Sequence, residues 1–424
     1  MKIYIYTMNL ILPLLMSVCA MAQPEQIHIA YGENVSTTMT ITWATNTSIG
    51  NETPVALVAE ESSSPNLYKG KTNIFNTYDT YNRTMYVHRV NLTSLTPDTR
   101  YTYVVGSSGS AIYSGNHSFV TMPTDSNTPL SIAVYGDLGY VNDQSFPNLR
   151  TQFGAGRFQF AVHVGDLAYD LFSDDGRVGD NFFRVIQPIA ANYPYMALPG
   201  NHEESQGFLN YWNRMTLPNT VPGKSMWYSI KVGKLRLLFL SSEVYFFDSI
   251  SHLQDAQMAW LKAELVDANN HRDEQPWLVV AAHRPLLCSN GNTDDCTPDG
   301  DHRLLAEWGD LLHYSGVDLA FWAHEHNYER LLPWYDGKIM SGPTGTYIDP
   351  KAMTQIITGS AGCKEKHDSL GPVQNFTGFR SVDYGFSRLT ISNATHLYLD
   401  YFSDDQNQVI DSFWLVQHYH GPRS

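Results

Sequence analysis

"FQFAVHVGDLAYD", residues 158–170, decides the fold. The apolar run with β-branched residues reads as a buried strand. It halts at Gly165, and Asp166 and Tyr169 follow just past the strand's carboxyl end. A carboxylate and a phenol at that place ask for a common partner. The pattern recurs. "SIAVYGDLG" (131–139) leads to Asp137, "YPYMALPGNHE" (193–203) to Asn201 and His202, "PWLVVAAH" (276–283) to His283, and "VDLAFWAHEH" (317–326) to His324 and His326. In open α/β sheets the ligand site lies at the carboxyl ends of the strands, so these side chains are expected to converge.

Outward from these runs, the chain from residue 130 alternates short apolar segments with amphipathic ones, the signature of an α/β unit. Helices are expected near 255–270 and 301–314, and strands dominate again beyond 350, in "MTQIITGS", "YGFSRLTIS", "THLYLDYF" and "VIDSFWLV". Residues 24–122 read differently. "TTMTITWAT" and "TMYVHRVNLTSL" alternate, and "TPDTRYTYVVGS" adds a turn and a Tyr-rich strand, which together describe an immunoglobulin-like or fibronectin-like β-sandwich. "MPTDSNTP" (122–129) has linker composition. The expected plan is a segment 1–22, a sandwich at 23–124 and an α/β unit at 130–416.

The N-terminal "MKIYIYTMNLILPLLMSVCAMA" carries one Lys, a short apolar core and small residues before Gln23. It reads as a signal peptide cleaved after Ala22, too short to span a bilayer, and sends the chain to a secreted or lysosomal destination. Sequons at Asn34, Asn46, Asn51, Asn82, Asn91, Asn116, Asn375 and Asn393 agree with that route, and none lies between residues 130 and 370. Cys288 and Cys296 bracket a short loop and are expected to pair. Cys363 is left either buried and inert or bridging to a second chain as a homodimer. The formal charge is −15, from 27 basic and 42 acidic side chains, which disfavours nucleic acid and anionic lipid as partners. An anionic substrate would then need local positive charge not supplied by Lys or Arg.

Asp, Asn and His without a thiolate select borderline-to-hard cations, and their number exceeds one coordination sphere. Two metals sharing a carboxylate satisfy that set, a standard device for displacement at phosphorus.

"GDLG", "GDLAY", "GNHE", "VVAAH" and "AHEH", in this order, resemble the five blocks of the metallophosphoesterases, and specifically of the long, two-domain, animal-type purple acid phosphatases. The resemblance implies a four-layer β-sandwich flanked by helices behind the N-terminal all-β domain. Relatives such as nucleotidases have a His where this chain has Gly139, and lack Tyr169. The resemblance implies that Tyr169 replaces that His and binds Fe(III) as a phenolate, with Asp137, Asp166 and His326. Asp166 would bridge to a divalent Fe, Zn or Mn held by Asn201, His283 and His324. The centre would supply the missing positive charge and hydroxide for in-line attack on a phosphate monoester at acid pH. His202 is assigned to phosphate contact or protonation of the leaving alcohol. The chain departs from the family in two places. Ala323 stands where Gly is usual, and "CSNGNTDDCTPDGDH" lacks the adjacent histidine pair of plant members, leaving Asp294, Asp295 or His302 as substitutes. Cleavage of phosphodiesters or nucleotides at the same site, or an inactive extracellular binding protein, are the alternative functions.

Overall fold

The computed structural model describes residues 22–61, 63–218, 226–291, 296, 302–341 and 345–423. The expected signal peptide, apart from Ala22, and Asp294, Asp295 and the His302 side chain lie outside the described residues.

The N-terminal part is two four-stranded antiparallel sheets. One pairs Glu25–Tyr31, Met39–Thr45, Thr84–Leu92 and Lys71–Asn76; the other pairs Asn66–Lys69, Pro54–Glu60, Arg100–Ser107 and His117–Val120. Ile29, Ile41, Trp43, Val58, Val90, Tyr103 and Phe119 are buried in this unit, and burial alternates along much of Thr84–Leu92 and the first half of Arg100–Ser107. The sequence expectation of an all-β unit here rested on that period of two.

His88 is buried in this sandwich, its two ring nitrogens facing the Thr45 and Thr72 hydroxyls at 3.0 and 2.9 Å. Hydroxyls serve either as donor or acceptor, so the neutral ring is satisfied, and burial lowers its pKa to about 4. The unfolded chain takes up this proton near pH 6.5 and the fold only near pH 4, so between them the unfolded state binds more protons. The stabilisation is complete above about pH 6.5 and lost as pH falls through about 4, of order 3 kcal/mol. Calorimetric unfolding of the His88→Gln protein is expected to lose about one proton of uptake across that window relative to the unsubstituted chain.

The remainder is built on two seven-stranded sheets. In the first, Leu130–Tyr135, Phe160–Val164 and Tyr195–Leu198 run parallel, and Gly385–Ile391 pairs antiparallel with Leu130–Tyr135. His396–Ser403, Gln408–Val416 and Thr346–Ile348 extend that edge. In the second, Leu235–Phe239, Trp277–Ala281, Leu319–Trp322 and Thr354–Thr358 are parallel neighbours. The parallel strands are buried at every position but Ser131, as continuous apolar runs require. Helices close the outer faces. Arg177–Ala190 buries Phe182, Phe183, Ile186 and Ile189, and Gln254–Asn270 buries Gln257, Leu261, Leu265 and Ala268 at helical spacing. The Gln257 amide bonds both the N–H and C=O of Ser241, docking this helix on the chain beyond Leu235–Phe239.

The helix expected near 301–314 is present over residues 302–314, with a change of pitch inside it. His302–Leu304 is α-helical, Leu305–Gly309 has the wider π geometry, and Asp310–Tyr314 returns to α. The wide turn buries Trp308, whose ring N–H reaches the Tyr245 hydroxyl at 3.1 Å.

The sandwich is held to the α/β part by polar contacts between named groups. Arg89 donates to the Thr216 hydroxyl and to the Asn213 and Met215 carbonyls, Tyr103 donates to the Ala191 carbonyl, and Arg83 pairs with buried Asp180. The two large sheets meet at the first strand end, where the Gly136 N–H donates to the Thr358 carbonyl at 2.9 Å.

Candidate metal centre

The first three strands of one sheet and two of the other end at the same place. Asp137, Asp166, Tyr169 and His324 all adopt left-handed backbone, with φ of 57°, 51°, 49° and 68°. Such values are uncommon for residues with a Cβ and cluster where the surroundings hold a side chain to a task. Three of the five strand ends, at Asp137, Asp166 and His324, are therefore abrupt reversals of the chain.

Glycines make the reversals fit. A Cβ on Gly200 would lie 2.1 Å from Asp166 Oδ1 and 2.8 Å from His283 Cε1. A Cβ on Gly136 would lie 2.4 Å from the Ala323 methyl, so that methyl occupies space left open by Gly136. A Cβ on Gly139 would meet the Tyr169 ring at 3.3 Å. Tyr169 thus fills the ground beside Gly139.

Two groups of side chains result. In the first, the Tyr169 hydroxyl donates to Asp137 Oδ1 at 2.9 Å and lies 3.0 Å from His326 Nε2, which is 3.5 Å from the same carboxylate. In the second, His283 Nε2 lies 3.0 Å from Asn201 Oδ1, 3.4 Å from Asp166 Oδ2 and 3.2 Å from His324 Nδ1. The groups are joined through backbone: the Asp137 N–H donates to the Gly165 carbonyl and the His324 N–H to Asp137 Oδ2. Seven of the eight side chains expected to converge do so, His202 being the exception. His283 is oriented by its Nδ1, which bonds the Val164 carbonyl at 2.9 Å and leaves Nε2 facing the cluster.

The electrostatics are those of a cation site. Burial opposes the charge on Asp166, yet His283, His202 and His324 hold its carboxyl well below the usual range. Burial would lower His283 and His326, but Asp166 carries the first up to about 10, and Asp137 with Cys363 the second up to about 12. Burial, then Asp137 and Asp166, push the Tyr169 phenol well above its ordinary value. Burial, then Arg284 and His283, take His324 down to about 3. Buried anionic oxygens are drawing positive charge into their midst.

His202 stands beside the cluster, not in it. Its Nδ1 bonds Asp170 Oδ1 at 2.6 Å, its Nε2 is 3.6 Å from Glu365 Oε1, and its ring lies 4.4 Å from that of Tyr169. Burial would lower its pKa, but the Asp170 bond and the Asp166, Asp170 and Glu365 charges carry it up to about 9.

Four residues here escaped the sequence reading. Glu203, buried, accepts the backbone N–H groups of Asp166, Leu167 and Gly200 at 3.0, 2.9 and 2.9 Å, tying two turns together. Burial and the Asp166 charge push its carboxyl up to about 8. Its place in "GNHE" was the available signal. Asp170, next to Tyr169, was equally open to reading. Cys363 was not: it comes from a distant loop, and its thiol lies 3.5 Å from both ring nitrogens of His326. Arg284 places Nη1 3.2 Å from His324 Nε2. Buried Cys363 sits against the centre, which leaves no surface thiol there for a bridge to a second chain. Cys288 and Cys296 form the expected disulfide. All eight sequon asparagines are exposed.

Residues 24–121 match the purple acid phosphatase N-terminal domain, 130–328 the calcineurin-like phosphoesterases, and 352–412 the iron/zinc purple acid phosphatase-like protein C. Acid phosphatase type 7 of Danio rerio is 41% identical over 416 residues, covering 94% of this chain and 93% of that protein.

The chain belongs to the purple acid phosphatase family.

Acid phosphatase type 7 of Homo sapiens is 38% identical, covering 95% of this chain and 93% of that protein. The Fe(3+)-Zn(2+) purple acid phosphatase 12 of Arabidopsis thaliana is 27% identical, covering 93% and 85%. Among solved structures, a purple acid phosphatase from yellow lupin seeds has the same fold, with TM-score 0.81 at 23% identity, covering 94% of this chain and 75% of that one. Among the described residues, no helix is long and apolar enough to cross a membrane.

Proposed function

We propose that this member of the purple acid phosphatase family is a secreted or lysosomal acid phosphatase that hydrolyses phosphate monoesters at a paired Fe(III) and divalent metal centre. The convergence of Asp137, Tyr169 and His326 beside Asp166, Asn201, His283 and His324 carries this reading. The donor set fits two ions of different hardness. Carboxylate and phenolate oxygen suit Fe(III), to be held by Asp137, Asp166, Tyr169 and His326. Amide oxygen and two imidazoles suit a divalent Fe, Zn or Mn, to be held by Asn201, His283 and His324, with Asp166 shared. When bound, such a pair supplies Lewis-acid activation of water and of the phosphoryl oxygens.

The chain's own residues do the rest. His283 and His324 keep fixed faces toward the centre through Val164 and Arg284. Asp170 fixes the His202 ring and its protonated state, so that Nε2 carries a proton for the oxygen of the departing alcohol. Exposed sequons and the disulfide support export through an oxidising compartment.

The test is the visible absorption spectrum of the metal-loaded protein before and after Tyr169→Phe. A broad band is expected in the unsubstituted protein and its loss in the variant. A colourless protein with full metal content would remove the iron–phenolate assignment. His202→Ala is expected to keep the band and lower kcat by about 10²–10⁴-fold, the usual loss on removing a general acid. Loss of the band as well would make His202 structural.

A further inference from the structure

Leu305 and Gly309, the two ends of the wide turn, line a cavity of about 180 Å³. Single turns of π geometry recur at functional sites. Gln355, also in the lining, lies near the amino end of the strand Thr354–Thr358. The other end of that strand leads to Gly359, where an added Cβ would lie 2.6 Å from Asp137 Oδ2. Four residues of strand, at about 3.3 Å each, set the cavity about 13 Å from the metal centre.

One part of the cavity is apolar, lined by Leu286, Met353 and Trp334. The other is a polar cluster. The Tyr335 ring stacks on that of His313, with centroids 3.4 Å apart and planes 4° from parallel. The Tyr335 hydroxyl donates to Asp310 Oδ1 at 2.8 Å, which leaves Oδ2 of that carboxylate available. Exposed Asp336 adds a second carboxylate. Among the described residues, no Lys or Arg lines the cavity. His313 is only 5% exposed, yet its Nδ1 has no hydrogen-bond partner among the described residues. Burial, then Arg423, lower its pKa, so the ring is neutral at pH 7. With its proton on Nε2, such a ring presents Nδ1 as an acceptor. A buried acceptor without a donor is costly and marks a place where a donor belongs.

Carboxylate oxygens and an unpartnered acceptor call for a cation that carries N–H donors, and the aromatic and aliphatic lining calls for a flat apolar body. We propose that this cavity binds a small arylalkylammonium ion, a protonated primary amine carried on an aromatic ring. The ammonium donates to Asp310 Oδ2 and His313 Nδ1, and the ring packs on Trp334 with Leu286 and Met353. A quaternary ammonium has no N–H for His313, and an anion would meet two carboxylates. The chain's net charge of −15 favours the approach of a cation.

Isothermal titration calorimetry of the full, metal-loaded chain with 2-phenylethylammonium tests this, with 2-phenylethanol as an uncharged probe of similar shape. The ammonium is expected to bind one site at least about tenfold more tightly than the alcohol. Saturating orthophosphate is expected to leave that binding unaltered. Affinity should fall about tenfold in Asp310→Asn, where the exposed position leaves the core intact, and in His313→Phe, which keeps a ring on Tyr335. The absence of saturable binding, an alcohol that binds as tightly, or an affinity unaltered in either variant would overturn the site. Displacement by orthophosphate would overturn it too, because it would place the amine at the metal centre.

Discussion

Gly200→Ala is expected to lower kcat/KM by at least about a thousandfold while the chain still folds. The added methyl would lie 2.1 Å from Asp166 Oδ1, 2.6 Å from the Asp166 nitrogen and 2.8 Å from His283 Cε1. None of these is the far end of a flexible chain. Asp166 is pinned by the N–H of His202 on Oδ1, and His283 by the Val164 carbonyl, so one of two candidate ligands must move. A displacement of about 1 Å in such an arrangement costs about 10²-fold, and here two ligands share the strain. Steady-state kinetics with metal content measured in parallel checks this. Gly154→Ala is the matched control, because the position lies at a helix end with open space around the added methyl. Full activity in Gly200→Ala would mean the strand-end turns are looser than their contacts imply.

Glu203→Ala is expected to cost of order 3–9 kcal/mol of stability and to weaken metal retention about 10–100-fold. Three backbone N–H groups on two separate turns would lose their acceptor inside the protein, each at about 1–3 kcal/mol. Water is poorly placed to replace it, since Glu203 is only 2% exposed. The loss reaches the centre directly, because the donors belong to Asp166, its neighbour Leu167, and Gly200. Denaturant unfolding midpoints and metal titration measure the two effects separately. Glu203→Gln should recover part of both, since one carbonyl oxygen still accepts while its NH₂ opposes a backbone donor. A Glu203→Ala protein of unchanged midpoint would show that the turns hold without their common acceptor.

The two substitutions show why parts of this protein could be read from its sequence. The strand-ending blocks were legible because their signal is local: an apolar run, a small residue, then a polar one. That sufficed for the parallel strands and the sandwich, and for Asp137, Asp166, Tyr169, Asn201, His283, His324 and His326. The helix at 254–270 was legible from its period, whereas the wide turn at Leu305–Gly309 was not. Within it, buried Trp308 reaches the Tyr245 hydroxyl, and nothing within 301–314 announces a partner some sixty residues earlier.

By itself the sequence determined the elements and the donor types, because strand period, turn chemistry and ligand identity are properties of neighbouring residues. Only the tertiary structure supplied the contacts within the two groups that the family resemblance had implied, and decided which residues stand behind them. That Asp137 pairs with Tyr169 and His326, while Asp166 faces His283, follows from the packing of two sheets at Gly136 and Thr358. Cys363 against His326 and Arg284 against His324 follow from the same packing. The physical reason is range. Backbone propensity acts over a few residues, whereas burial brings together groups that the chain holds far apart.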